Sequence, residues 1–289
     1  MTKIKTFATR SFSPTVLLLK AFLNPFRRLW DYVEQHTDSR ELEAESMDDS
    51  EEAAAYNEMV NKNQATLHEP FIEKIKSLNI TSGRVLDIGT GSGQLAVRLA
   101  KCFPDMKITG VDVSKNMLEY AKQHAIENSV ERQVTFRQCD GKALPFADQS
   151  FDLVISHFTL HHLEIPEKFF KEAKRVLTSR GNVLMRDVLR QPRFVRRLMK
   201  LYMRFILRQS PLTTRISMES FSAGLTLNEI KETVADSCLR NATVERDLGI
   251  YGLIHYRKTA QNIPLKTKKT MRARRPISVN NSLCHGICN

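Results

Sequence analysis

Between Gly83 and Val188 the chain alternates short apolar runs with helix-length amphipathic segments, and few architectures accommodate that rhythm. It predicts strands at Arg84–Ile88, Lys107–Val113, Gln133–Gln138, Phe151–His157 and Gly181–Val188. Helices are predicted between them at Leu95–Cys102, Lys115–Glu127 and Pro166–Leu177. The uninterrupted Leu153-Val154-Ile155 is what a strand buried on both faces requires. Strands separated by helices pair in parallel, and the helices then cover both faces of the sheet. Two further runs, Ala242–Leu248 and Tyr251–Tyr256, are separated by Gly249 and Ile250, which predicts an antiparallel hairpin at the end. Residues 52–79 read as a long helix, or two shorter ones broken at Pro70. Residues 191–210 read as a basic helix, and Leu225–Cys238 as another.

The first predicted strand delivers a Gly-rich turn, Val85-Leu86-Asp87-Ile88-Gly89-Thr90-Gly91-Ser92-Gly93-Gln94. Glycines there let backbone approach a ligand, and the helix that follows offers free N–H groups. A nicotinamide-dinucleotide fingerprint needs a third glycine where Gln94 stands, and no Lys-Ser/Thr follows for a P-loop. The second strand ends in Asp112, 23 residues past Gly89, the separation that one intervening helix requires. A carboxylate at that strand end can accept both hydroxyls of a ribose. The third ends in Cys139-Asp140-Gly141, where an acid can accept from an adenine amino group. Asp87, Asp112 and Asp140 thus fall at one edge of the sheet, the carboxyl edge where doubly wound sheets bind ligands.

On these phrases, with Phe151–Leu163 and Lys171–Leu177, the segment from Gly83 to Pro192 resembles a class I S-adenosylmethionine-dependent methyltransferase. Leu160-His161-His162-Leu163 adds a similarity to the ubiquinone/menaquinone C-methyltransferase-like group, which methylates many kinds of small molecule. The turn Thr178-Ser179-Arg180-Gly181 departs from the leucine, proline and glycines usual there. The resemblance covers residues 52–256 and implies a Rossmann-like, doubly wound α/β fold: a mostly parallel seven-stranded sheet, a C-terminal antiparallel hairpin and helices on both faces. It implies S-adenosylmethionine as cofactor and a small-molecule acceptor. Asp87, Gly89 and Gly91 would hold the amino-acid part, with Thr90 and Gly93 completing the loop. Asp112 and Val113 would take the ribose, and Asp140 and Gly141 the adenine. Ser156 and His157 would lie near the sulfonium, with His157 as acceptor contact or base. Tyr56 would close over the cofactor.

Methyl transfer from a sulfonium needs the nucleophile and methyl held in line, and a base only where the acceptor must lose a proton. His161 and His162 read as groups satisfied by capping or local hydrogen bonds, and Asp187 as either a pocket wall or a cap. No metal site is expected: Cys284-His285-Gly286-Ile287-Cys288 supplies three soft ligands at most. Absence of an Asn-Pro-Pro-aromatic phrase, of a cysteine after strand four or five, and of a glutamate pair argues against base, cytosine-C5 and arginine methylation.

The charge of +12 on 289 residues is unevenly placed. Residues 1–30 carry six Lys/Arg and residues 257–289 eight, neither with an acid, so residues 31–256 hold a net −2. The expected organisation is an N-terminal extension over 1–51, basic and then acidic, a methyltransferase domain over 52–259 and a basic tail over 260–289. Within the domain, the cofactor core spans 83–188 and a basic helical insert 190–224. Residues 186–208 carry eight bases and one acid, which suits a lid over the acceptor or a solvated face. Residues 1–30 have the composition of an organelle transit peptide, of a basic segment lying on an anionic membrane, or of an unordered terminus. Five cysteines without disulfide spacing point to a reducing compartment, the cytoplasm. The near-neutral body makes nucleic acid an unexpected partner and leaves oligomeric state open. An RNA or protein methyltransferase using the basic ends, and a cofactor-binding scaffold without turnover, are the alternatives.

Overall fold

The computed structural model describes residues 37–43 and 49–259, so the expectations for residues 1–30 and for the tail after residue 259 lie outside the described residues. Helix α1 (Ser50–Ser77) is followed by β1 (Ser82–Ile88), α2 (Gln94–Cys102), β2 (Asp105–Asp112), α3 (Lys115–Glu127), β3 (Val134–Gln138) and β4 (Phe151–His157). A 3₁₀ turn (Leu160–His162) leads into α4 (Glu167–Val176), β5 (Leu177–Val188) and α5 (Arg193–Leu201). A π-helical turn (Tyr202–Ile206), α6 (Pro211–Ala223), α7 (Leu227–Ala235), β6 (Thr243–Asp247) and β7 (Tyr251–Arg257) complete the order. The strands form a seven-stranded sheet in the order β3-β2-β1-β4-β5-β7-β6. β1 through β5 pair in parallel, and β7 runs antiparallel to both β5 and β6. The order reverses between β1 and β4, which opens a crevice at their carboxyl ends.

Side chains of the central strands alternate between two buried layers. Val154, Val183 and Met185 pack against Phe169 and Phe170 of α4 and Ile230 and Val234 of α7. Leu153, Ile155 and Leu184 pack on the opposite face with α1 and α2, against Phe71, Ile72, Ile75, Leu95 and Leu99. This is the two-faced burial that the apolar run in β4 predicts. Among the described residues, no helix is long and apolar enough to cross a membrane.

Of the two readings of residues 52–79 the single long helix holds, and two further local expectations are corrected. Pro70 does not break α1, which runs through it as one helix. A proline there removes one bond, to the Thr66 carbonyl, while Phe71, Ile72 and Ile75, fully buried, anchor the second half on the sheet. The turn expected at Thr178–Gly181 is instead an irregular start of β5, where Phe151 faces Leu177 but Leu153 faces Asn182. The basic stretch is shorter than expected and is followed by a separate helix, α6, capped by Ser210 with Pro211 in its first turn.

Residues 37–43 lie against the crevice rather than apart from it. The Arg40 guanidinium donates to the carbonyls of Ala223 (2.6 Å), His161 (3.0 Å) and Leu163 (2.9 Å). Asp38 faces Arg193 and Arg196 at 3.3 and 3.4 Å.

Candidate active site

The loop after β1 is drawn onto β2, with the amides of Gly89 and Thr90 both donating to the Val111 carbonyl (2.8 and 3.0 Å). Gly91 has a left-handed φ of 54° and borders open space: a Cβ there would come no closer than 4.0 Å to its nearest neighbour, Tyr56. A ligand can therefore lie directly on this backbone. Gln94, which fails the dinucleotide pattern, ties α1 over the loop. Its amide donates to the side-chain oxygens of Asn57 (2.7 Å) and Asn61 (3.1 Å), and its carbonyl accepts from the Ser92 hydroxyl.

The three strand-end carboxylates occupy different environments. Asp87 is buried; one oxygen accepts from the Thr90 hydroxyl at 2.7 Å, and the other is buried with no hydrogen-bond partner among the described residues. Burial pushes its carboxyl up to about 7, with the Thr90 bond opposing and the Asp112 charge adding. Asp112 accepts from the amides of Gly91 (2.8 Å) and Ser114 (2.9 Å), and Asp140 from that of Lys142 (2.8 Å). A chamber of about 30 Å³, room for one small polar group, lies among Asp87, Thr90, Gln94, His68 and His157. An unpaired buried carboxylate oxygen, an open glycine and two further carboxylates along one wall fit a cofactor with a cationic amino-acid end and a nucleoside.

A larger cleft of about 590 Å³ begins at this wall and runs past the end of β4. Its cofactor side includes Gly89, Gly91, Asp112, Val113, Asp140 and Gly141, so the structure brings together six of the residues the sequence selects. Its far side is mostly apolar, built by Phe158, Val188, Met199, Met203, Phe221 and Tyr251. Tyr56 borders both cavities.

Five expected residues are not on the wall of the larger cleft; Asp87 and Thr90 line the small chamber. The Ser156 hydroxyl donates to the Ile88 carbonyl at 2.9 Å, pinning β4 to β1. Gly93, with φ of 75°, caps α2 where a Cβ would sit 2.7 Å from that of Ala121. His157 faces the small chamber, with its ring against Phe71 (4.9 Å) and beneath Phe158 (3.9 Å between centroids). Burial, aided by Arg186 and His68, holds His157 well below the usual histidine range, and Arg186 donates to its Nε2 at 3.3 Å. That neutral, screened imidazole does not reach the acceptor side.

Two histidines, His161 and His162, border the cleft, and His161 is the one held by a carboxylate. Its Nδ1 lies 2.6 Å from Asp187 Oδ1, and both side chains are almost wholly buried. Asp187 also accepts from the amides of Leu160 (2.5 Å) and Val188 (2.7 Å), so it fixes the 3₁₀ turn that carries the histidine. Burial disfavours the imidazolium, but the charge and hydrogen bond of Asp187, together with Glu43, outweigh it and raise the His161 pKa. The same contacts overcome the burial of Asp187 and hold its carboxyl below its ordinary value. Glu43 approaches His161 Nε2 at 3.6 Å, with its own pKa raised by burial. The acceptor atoms of Glu43, His161 and His162 lie within 4.8 Å of one another.

A methyltransferase-domain family model matches residues 81–245, more than half of the chain, and the chain belongs to that family. Among curated proteins it is 36% identical to the 27-O-demethylrifamycin SV methyltransferase of Amycolatopsis mediterranei, over 38% of this chain and 40% of that protein. It is 35% identical to the ubiquinone/menaquinone biosynthesis C-methyltransferase UbiE of Desulfotalea psychrophila, over 37% of this chain and 42% of the relative. The chain thus spans about two-fifths of the length of these relatives. Of solved structures, a putative S-adenosyl-L-methionine-dependent methyltransferase from Methanococcus maripaludis superposes with a TM-score of 0.59 at 21% identity, over 76% of this chain and 97% of that one. A SAM-dependent methyltransferase from Aquifex aeolicus gives 0.54 at 20% identity, over 72% and 98%. These likenesses show the fold.

Proposed function

We propose that the protein transfers a methyl group from S-adenosylmethionine to a small, largely apolar molecule whose accepting atom gives up a proton. The larger cleft carries this reading, because it joins the carboxylate-lined β1–β3 edge to an apolar chamber and is bordered by His161, whose Nδ1 meets Asp187. Asp87 receives the ammonium end of the cofactor, Asp112 its ribose and Asp140 its adenine. When bound, that cofactor supplies a methyl on a positively charged sulfur, already attached to a good leaving group. The chamber walls hold the acceptor in line and keep water away. His161, oriented by Asp187, would take the proton that the accepting atom gives up on methylation. The relatives named above are O- and C-methyltransferases, and both chemistries require such a proton loss.

Calorimetric titration with S-adenosylmethionine tests the first half. Binding is expected, with affinity at least about tenfold weaker in Asp112→Ala; absent binding, or unchanged binding in the variant, refutes it. Transfer of labelled methyl from the cofactor into a metabolite extract tests the second half. Label should enter an organic-soluble product and be lost in His161→Gln while cofactor binding persists.

A further inference from the structure

Seven of the ten large apolar side chains exposed among the described residues fall between Phe194 and Leu207, in α5 and the turn after it. Phe205 is 74% exposed, Ile206 66% and Leu198 63%. Phe194, Leu198, Leu201 and Phe205 recur at i, i+4, i+7 and i+11 and so form one stripe. Arg193, Arg197, Lys200 and Arg204 recur at the same spacing one position earlier and form the stripe beside it. All four are exposed. The only acid of residues 186–208 is Asp187, which is buried against His161. The third side of the segment, Met199 and Met203, lines the cleft.

We infer that this segment is a docking surface for an anionic lipid bilayer, with the apolar stripe among the acyl chains and the basic stripe at the headgroups. An exposed aromatic and aliphatic face bordered by cations is the amphipathic pattern that lies in a membrane interface. Charge selects this occupant. A second copy packed face to face, or the acid-free residues 1–30, would set cation against cation. Tyr202 and Leu207 belong to both the exposed face and the cleft wall, so the cleft opens at the proposed bilayer surface. An apolar acceptor would then pass from lipid into the cleft without crossing water. That consequence rests on the methyl-transfer reading; bilayer binding itself does not.

The test is sedimentation of the full chain with vesicles of mixed phosphatidylcholine and phosphatidylglycerol, and with phosphatidylcholine alone. Binding is expected to the anionic vesicles and to be at least about tenfold weaker in Leu198→Glu/Phe205→Glu and in Arg197→Glu/Lys200→Glu. Neither pair lines the cleft, so S-adenosylmethionine affinity should be retained and serves as the check on folding. Residues 1–30 and 257–289 are basic as well, so insertion is read separately. Phe205→Trp in a Trp30→Phe background should shift its emission to the blue on anionic vesicles. Absent vesicle binding, binding undiminished in Leu198→Glu/Phe205→Glu, or unshifted emission overturns the proposal. So does a concentration-dependent dimer that this double variant abolishes without any vesicle binding, which would give the face to a second copy. Loss of cofactor binding by the wild type would refute the methyl-transfer reading and leave the vesicle result standing.

Discussion

Replacing Asp87 by Asn should strengthen the fold and weaken cofactor binding, and both effects follow from one buried oxygen. Asp87 is 1% exposed, and burial lifts its carboxyl to about 7 against an ordinary 3.8. The folded protein therefore holds a proton that the unfolded chain releases between those values. Wild-type stability is full below about pH 4 and is lost as pH rises through 7. At about 1.4 kcal/mol per pKa unit the loss approaches about 4 kcal/mol by pH 9. An Asn side chain keeps an acceptor for the Thr90 hydroxyl and carries no charge. Urea unfolding of the cofactor-free protein should show Asp87→Asn more stable by about 4 kcal/mol at pH 8.5, by about 1.5–2 kcal/mol at pH 5, and nearly equal to wild type below about pH 4. Calorimetry at pH 8 should show S-adenosylmethionine bound about 10–100-fold more weakly, the worth of one charge-assisted hydrogen bond. A stability difference independent of pH, or an unchanged affinity, would refute the reasoning. The first result would mean that Asp87 is not held as a desolvated acid, the second that its unpartnered oxygen does not face the ligand.

Asp187→Asn removes the charge that raises His161, so the rising limb of the rate–pH profile should move to lower pH, with the plateau falling about 10²–10⁴-fold. Its readout is kcat against pH with a saturating acceptor. His68 is pushed down to about 3 by burial, with Arg98 and Arg186 adding, so wild-type stability should fall with acid from about pH 6.5 downward. His68→Phe should flatten that fall by about 2 kcal/mol at pH 5 in denaturant titrations. Gly93→Ala places a methyl 2.7 Å from the Ala121 Cβ at a φ of 75° and should cost about 2–3 kcal/mol of unfolding free energy, by the same measurement.

The parallel strands are legible in the sequence because burial on both faces forbids polar interruption, and Leu153-Val154-Ile155 needs no partner to be read. The cofactor edge is legible because Asp87, Asp112 and Asp140 each end a strand, so a one-dimensional pattern maps onto one edge of the sheet. The acceptor side has no such pattern. His161 and Asp187 are 26 residues apart and meet only because β4 and β5 are neighbours. The available signal is an acid ending β5 opposite the loop that ends β4, and it is weaker than a histidine closing a buried strand, as His157 does. That residue ends its strand as expected, but Phe158, with a left-handed φ of 62°, folds over it and faces the cleft in its place. Pro70 misleads because local backbone cost is small beside the anchoring of three buried side chains.

Arg40 gives the molecule a physical boundary different from its family boundary. The family match begins at residue 81, and the helix-rich unit at Ser50, yet one guanidinium upstream of both bridges α6 to the loop after β4. A protein trimmed to begin at Ser50 would keep its sheet and its cofactor edge. It would lose the clasp that fixes the spacing between the two walls of the acceptor chamber, and with it Glu43 beside His161. Such a fragment should fold and bind cofactor while choosing its acceptor loosely. That outcome would place acceptor selectivity in chain that the motif-bearing segment does not contain.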